Sequence, residues 1–151
     1  MRDSAAGDAM DIVHLLRAVT VELSLRNAEF AASNGMHGTD VRALICLMDA
    51  LRSGTDMTAG RLGEQLGLNS AGTTGLVDRL ERLGHVRRVR DERDRRRVLI
   101  EIDERAVALG QSFFGPLIAR TVELLDGYDE RDRAAVKRFL TGTLRAAEQR
   151  S

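Results

Sequence analysis

The stretch MTAGRLGEQLGLNSAGTTGLVDRLERLGHVRRVRDERDRRRVLIEI, Met57 to Ile102, decides the fold. Thr58 stands before a short run, Ala59 to Leu66, as an N-cap whose hydroxyl can accept an early helix amide. Met57 and Leu62 flank the cap at the spacing of a hydrophobic staple. Gly67 ends the run. Asn69 or Ser70 then caps a longer helix reaching about Leu83, with Leu76, Val77, Leu80 and Leu83 inward and Gly84 as its stop. After Gly84 the period changes. His85 to Arg90 is a short extended run, and Val98-Leu99-Ile100-Glu101-Ile102 alternates, with Val98, Ile100 and Ile102 on one face. A charged tip, Asp91 to Arg97, joins the two runs, which predicts a hairpin. A two-stranded hairpin is marginal in water by itself, so it must lean on the helices.

Outward from this stretch the chain reads as helix. Ile12, Leu15, Leu16, Val19, Leu23, Arg26 and Phe30 recur at mostly three- and four-residue spacing, predicting a helix from about Asp8 to Ser33 that Ser33-Asn34-Gly35 stops. Thr39 or Asp40 caps the next, with Val41, Leu44, Ile45, Met48 and Leu51 on one face, and Ser53-Gly54-Thr55-Asp56 breaks it. Beyond the hairpin a helix is expected from about Asp103 to Asp126, kinked at Pro116. Asp129 caps a last helix through Val136, Phe139, Leu140 and Leu144. The predicted order is α-α-α-α-β-β-α-α, a mainly helical fold with a small β-hairpin.

A chain of 151 residues suggests one domain. Apolar residues make up 43% and charged residues 30%, the balance of a soluble globular protein. No apolar run approaches the roughly 20 residues needed to span a membrane. Met1 to Asp11 holds no signal-peptide core, so a cytoplasmic location is expected. The single cysteine, Cys46, excludes an intrachain disulfide framework. The formal net charge is zero, but it is unevenly spread: residues 79 to 97 carry nine arginines against Glu81, Asp91, Glu92 and Asp94, a local charge of +5. That local field steers a polyanion even though the average vanishes. Lys137 is the only lysine, and the planar fork of arginine suits phosphate and guanine.

Thr58 to Leu83 has helix-turn-helix spacing, in which the second helix enters the major groove by its N-terminal end. Its first turns carry Asn69, Ser70, Ala71, Gly72, Thr73, Thr74 and Gly75, small and hydroxylated residues suited to phosphate oxygens and close backbone approach. Arg79 and Arg82 lie further along. Taken alone, these residues read equally as the capping sequence of a surface helix. The tip Asp91-Glu92-Arg93-Asp94-Arg95-Arg96-Arg97 is of a kind that is usually a solvated turn. Its place directly after the presumed recognition helix makes it a wing, whose arginines can enter the narrow minor groove. Asp91 and Asp94 are then expected to orient guanidinium groups. The amphipathic outer helices are economically explained by dimerisation, since two half-sites need a two-fold protein.

The combination is specific. LVDRLE from Leu76 to Glu81, then Gly84, then the DERDRRR tip, resembles the MarR family of regulators, and the likeness in element order covers most of the chain. The resemblance implies a homodimer held by N- and C-terminal helices (about 8–33 and 103–148), with a winged lobe over about 40–102. It implies a ligand-responsive repressor on a pseudo-palindromic operator. By the family pattern Ser70, Thr73 and Thr74 face the major groove, Arg93 is the wing arginine aimed at the minor groove, and Asp94 with Arg96 braces the wing. The DNA-binding set is therefore Asn69, Ser70, Ala71, Thr73, Thr74, Arg79, Arg93, Arg95 and Arg96. The chain departs from the pattern at Gly75, where the family often has a larger residue, at Glu92 and Arg97, whose roles the family does not assign, and at Pro116. Two other readings stay open: a non-specific DNA-coating protein, and an interaction module that has lost DNA binding.

Other features point elsewhere or nowhere. Cys46 reads as a small buried residue rather than a redox switch. His14, His37 and His85 show no ligand spacing, so no metal and no cofactor is expected. No nucleophile elbow, phosphate loop or zinc-protease helix is present, which argues against an enzyme. The resemblance implies a small-molecule cavity between the dimer helices and the lobe. Its lining is not legible: Phe113 and Phe114 suit core or pocket equally, and Arg17, Met48 and His14 carry no decisive signal.

Overall fold

The computed structural model describes residues 2–149; Met1 and residues 150–151 lie outside the described part. The elements are α1 (Arg2–Ser33), α2 (Gly38–Ser53), α3 (Ala59–Leu66), α4 (Ser70–Arg82), β1 (Val86–Arg90), β2 (Val98–Ile102), α5 (Glu104–Asp126) and α6 (Glu130–Glu148). This is the predicted order. Two compact units divide the chain, one through Leu109 and one from Gly110.

In the first unit the core is built from α2, α3, α4 and the sheet. Leu62, Leu80, Val41 and Val77 are fully buried, with Phe30, Leu44, Leu47, Met57, Leu76, Val86, Ile100 and Ile102 around them. Thr58 caps α3 by accepting the Arg61 amide, and Gly67 closes it at φ +67°. Asn69, not Ser70, caps α4, accepting the Gly72 amide at 2.8 Å. Such a cap is worth about 1 kcal/mol. Gly84, at φ +78°, turns the chain from α4 into β1.

β1 and β2 pair antiparallel, with Val86 opposite Ile102 and Arg90 opposite Val98. The hairpin leans on the segment before α3: the Ile100 amide donates to the Met57 carbonyl at 2.8 Å, and Thr58 bridges Leu99. Along β2 the support runs out toward the tip. Ile100 and Ile102 are buried, whereas Val98 on the same face is 40% exposed. Val98 therefore does not join the core as the alternation predicted, because the hairpin projects past the helices there.

Four expectations about helices are corrected. α1 begins at Arg2 rather than near Asp8, since Ala5, Ala6 and Ala9 are strong helix formers that outweigh Gly7. α2 is capped by His37, and Asp40 instead closes the capping box from the N3 position. Its inward face is Asp40, Val41, Ala43, Leu44, Leu47 and Ala50, while Ile45 and Leu51 are exposed. Leu83 is likewise exposed, at the outer edge of the last turn before Gly84. The apolar stripe on α1 is left uncovered: among the described residues of that helix only Phe30 and Ala31 are buried, and Ile12, Leu15, Val19 and Leu23 are exposed.

In the second unit, α5 continues through Pro116, which has no N–H to give the Ser112 carbonyl. Asp129 caps α6 through the Asp132 amide at 2.8 Å. No residue of α6 is buried, and Phe139, Leu140 and Leu144 stand exposed.

Candidate nucleic-acid interface

The turn between α3 and α4 is tight because two small groups meet there. Gly63 is buried, and a Cβ on it would lie 2.5 Å from the Thr73 Oγ1 and 3.2 Å from the Leu68 carbonyl. Thr73 itself is 3% exposed, and its hydroxyl donates to the Asn69 carbonyl at 2.9 Å. The side chain expected to face the major groove is thus spent on holding α3 against α4. Ser70, Ala71, Thr74 and Gly75 are exposed on the opening turns of α4, beside the cap residue Asn69.

Arg79 also departs from its expected place. Its Nε lies 3.2 and 3.0 Å from the two carboxylate oxygens of Asp40, and its Nη2 is 2.5 Å from Oδ1. Asp40 is fully buried, while a third of the Arg79 side chain (33%) remains exposed. Burial raises the carboxyl's pKa, but the Arg79 and His37 hydrogen bonds and the arginine charge outweigh it, and the net position is below the ordinary aspartate value. Removing one partner of such a pair costs about 3–5 kcal/mol in a fully dry site, and less here because Arg79 keeps water.

The wing has its own internal frame. Asp91, 5% exposed, accepts the Arg93 amide at 2.9 Å and the Arg97 guanidinium at 3.2 Å. Asp94 accepts the Arg96 amide at 3.1 Å, and its carbonyl takes the Arg97 amide at 2.9 Å. Each aspartate thus catches an amide two residues on, the local turn that Asp favours. The guanidinium braced by an acid is that of Arg97, held by Asp91. Asp94 braces the wing through backbone, and no Arg96–Asp94 ion pair occurs among the described residues. Arg93, Arg95 and Arg96 are exposed, and their guanidinium groups donate to no acceptor among the described residues.

Sequence reasoning missed Arg88. Its guanidinium reaches Asp78 at 2.7 Å and Glu81 at 3.0 Å, and its amide donates to Glu81 at 3.1 Å, tying β1 to α4. No sequence spacing announces that brace, which joins a strand to a helix across the Gly84 turn. Arg87 was findable. A hairpin folded about Asp94 places Arg87 opposite Glu101, and the two pair at 3.2 Å.

His85 sits half-buried where α4 passes into β1. Burial lowers its pKa, with Arg105 acting the same way and Asp40 and Asp103 opposing. Cys46 is half-buried too, and burial with the Asp49 charge raises its thiol pKa, the opposite of a reactive thiolate. A cleft of about 320 Å³ lies between the end of α2, Asp56-Met57 and β2, with Arg87 and Glu101 in its lining. Among the described residues no cluster of three or more His, Cys, Asp or Glu can hold a metal, and no helix is long and apolar enough to cross a membrane.

A MarR family model matches residues 34–97, the segment that holds α2, the α3–α4 pair and the wing. The uncharacterized HTH-type transcriptional regulator YcgE of Bacillus subtilis is 34% identical over 128 residues, covering 85% of this chain and 80% of its own. The chain belongs to the MarR family. It is a transcriptional regulator, and its relatives are regulators rather than enzymes. The MarR fold is seen in solved structures as well. A MarR family protein from Bacillus stearothermophilus superposes with a TM-score of 0.64 at 25% identity, covering 93% of this chain and 96% of that one. A MepR mutant from a multidrug-resistant S. aureus isolate gives 0.72 at 18% identity, covering 90% and 96%.

Proposed function

We propose that this MarR regulator is a homodimer that binds a pseudo-palindromic operator with α4 and the wing, and acts as a ligand-released repressor. The observation that carries the reading is the division of charge at the wing. Asp91 and Asp94 are used up on backbone amides and Arg97, which leaves Arg93, Arg95 and Arg96 as outward cations. These suit phosphate and the minor groove. Asn69, Ser70, Ala71 and Thr74 serve the major groove and its phosphates. The uncovered apolar faces of α1 and α6 support the dimer, since surfaces of that kind on a regulator mark a partner. MepR, whose fold the chain shares, is known as a DNA complex and bound to ethidium bromide; that likeness supports DNA and an organic effector here.

The test is a mobility shift on the DNA upstream of the protein's own gene, at two salt concentrations, with unrelated competitor. Specific binding by a dimer is expected. A species that stays monomeric and ignores this DNA at moderate salt sinks the reading.

A second reading, sequence-indifferent DNA coating, is favoured by one observation. Thr73 is buried and Arg79 turns to Asp40, so α4 offers few long side chains to base edges. It predicts binding that competitor abolishes and that falls steeply with salt.

A further inference from the structure

One carboxylate joins three parts of the first unit. Asp40 is fully buried, and its Oδ2 accepts the His37 amide at 2.9 Å at the start of α2. The same oxygen takes the Arg79 Nε at 3.0 Å, and its Oδ1 takes the Arg79 Nη2 at 2.5 Å. His37 follows directly on the loop from α1, and Arg79 lies in the last turn of α4. The rest of the inward face of α4 is Thr73, Leu76, Val77 and Leu80, and on its exposed side Arg88 of β1 holds Asp78 and Glu81; the Asp40–Arg79 contact is the polar tie between α4 and α2. A two-pronged guanidinium–carboxylate contact fixes direction as well as distance, and here it does so between the start of α2 and the last turn of α4.

We infer that Asp40 sets how α4 is presented to DNA, and that Arg79 is its instrument, a positioning residue and not a DNA contact. The inference rests on the DNA-binding reading above. For Arg79 to reach a phosphate it must abandon a fully buried carboxylate, leaving that charge unpaired in the core. Its visible third is therefore no measure of its availability. The sequence puts Arg79 on the binding surface because an arginine on a recognition helix is read as a DNA ligand; the partner 39 residues away reverses that assignment.

The experiment uses the full chain and two probes. One is a duplex selected from a random pool by the wild-type protein, and the other is the same duplex scrambled. Asp40→Asn keeps the shape and an acceptor for the His37 amide but removes the charge. Arg79→Lys keeps the charge but loses the fork. Both variants are expected to keep the wild-type mass and circular dichroism, and to lose about tenfold on the selected duplex, the size of a forfeited base contact, with the scrambled duplex unchanged. If Asp40→Asn fails to fold, Asp40→Leu with Arg79→Met replaces the pair by apolar side chains that keep stability, and the same selective loss is expected.

Several outcomes overturn the inference. Full affinity in Arg79→Lys with tighter binding in Asp40→Asn makes Arg79 a phosphate ligand that Asp40 restrains. Equal loss on both duplexes, in step with the folded fraction, makes the pair structural only. Wild-type affinity in the apolar double variant removes any positioning role. Failure of the wild-type protein to select any duplex overturns the DNA-reading function itself and this inference with it; a selected duplex to which the variants are indifferent overturns the inference alone.

Discussion

The hydroxyl of Thr73 occupies the space in which a side chain at Gly63 would begin. Thr73 is β-branched, buried and bonded to the Asn69 carbonyl, so it cannot swing aside cheaply. Alanine within a helix normally gains up to about 1 kcal/mol over glycine. Here Gly63→Ala is expected to lose about 1–3 kcal/mol instead, the cost of overpacking a filled site. Thr73→Ala in the same chain should return part of the loss, because the obstructing atom is gone. Urea midpoints of the three variants decide it, and a more stable Gly63→Ala protein contradicts the close approach.

At the wing, charge and architecture make opposite forecasts. Asp91→Ala removes a negative charge from the tip, which by electrostatics alone strengthens binding to DNA. It also deletes the acceptor for the Arg93 amide and the partner of Arg97. Weaker operator binding, by several-fold, is expected, with Asp91→Asn intermediate because it keeps an acceptor. A gain in affinity for Asp91→Ala would falsify the idea that the tip is preorganised.

Replacing Arg93, Arg95 and Arg96 singly by alanine should weaken DNA binding without altering the mass of the protein in solution. Each phosphate that a variant no longer neutralises should lower the salt slope by about 0.9. A slope that stays constant across all three variants removes the wing from the phosphate backbone.

The burial of His85 is expected to make the stability of the protein depend on pH. Burial holds its pKa below the ordinary value. Between the folded and unfolded pKa values the unfolded chain therefore binds the proton more readily, so stability rises with pH in that range. The contribution of neutral His85 is complete above about 6.5, the unfolded value, and is lost as pH falls through the folded one. His85→Gln should flatten urea midpoints measured between neutral and mildly acid pH, and an unchanged slope rejects the assignment.

The apolar faces of α1 and α6 can be tested without touching the lobe. Leu15 is 66% exposed and Leu144 60% exposed, so polar substitution costs an isolated chain little. In a dimer that buries them, Leu15→Asp or Leu144→Arg should shift the sedimentation mass toward the monomer and weaken operator binding. Unchanged mass in both places the interface elsewhere.

The elements were legible in the sequence because their signals are local. Thr58, Gly67, Asp129 and the alternation of β2 each announce their structure within a few residues. Faces and partners were less legible because they depend on distant chain. Asp40 reads as a helix cap until Arg79 arrives from α4 to meet it. Thr73 reads as an exposed hydroxyl until Gly63 closes over it. Ile45 and Leu51 share a helical period with Val41 and Leu44, yet Ala43, Leu47 and Ala50 are the ones turned to the core. The wing aspartates lay between these cases: their role was expected to be toward guanidinium groups, and most of it is toward backbone amides two residues on, a pattern that spacing alone contains.

The register of the hairpin, with Arg90 opposite Val98 and Val86 opposite Ile102, carries a last consequence. A hairpin lengthens by whole rungs. Adding two residues to each strand beyond Val98 and Arg90 carries the tip further out on the same face while every rung below keeps its partner, its face and its place on the helices. One residue added to a single strand has no partner and is taken up as a bulge or in the loop, which re-aims the tip. The reach of the wing is thus adjustable in discrete steps, independent of the helix beside it. The tip can therefore change its length without reopening the problem of how the lobe folds.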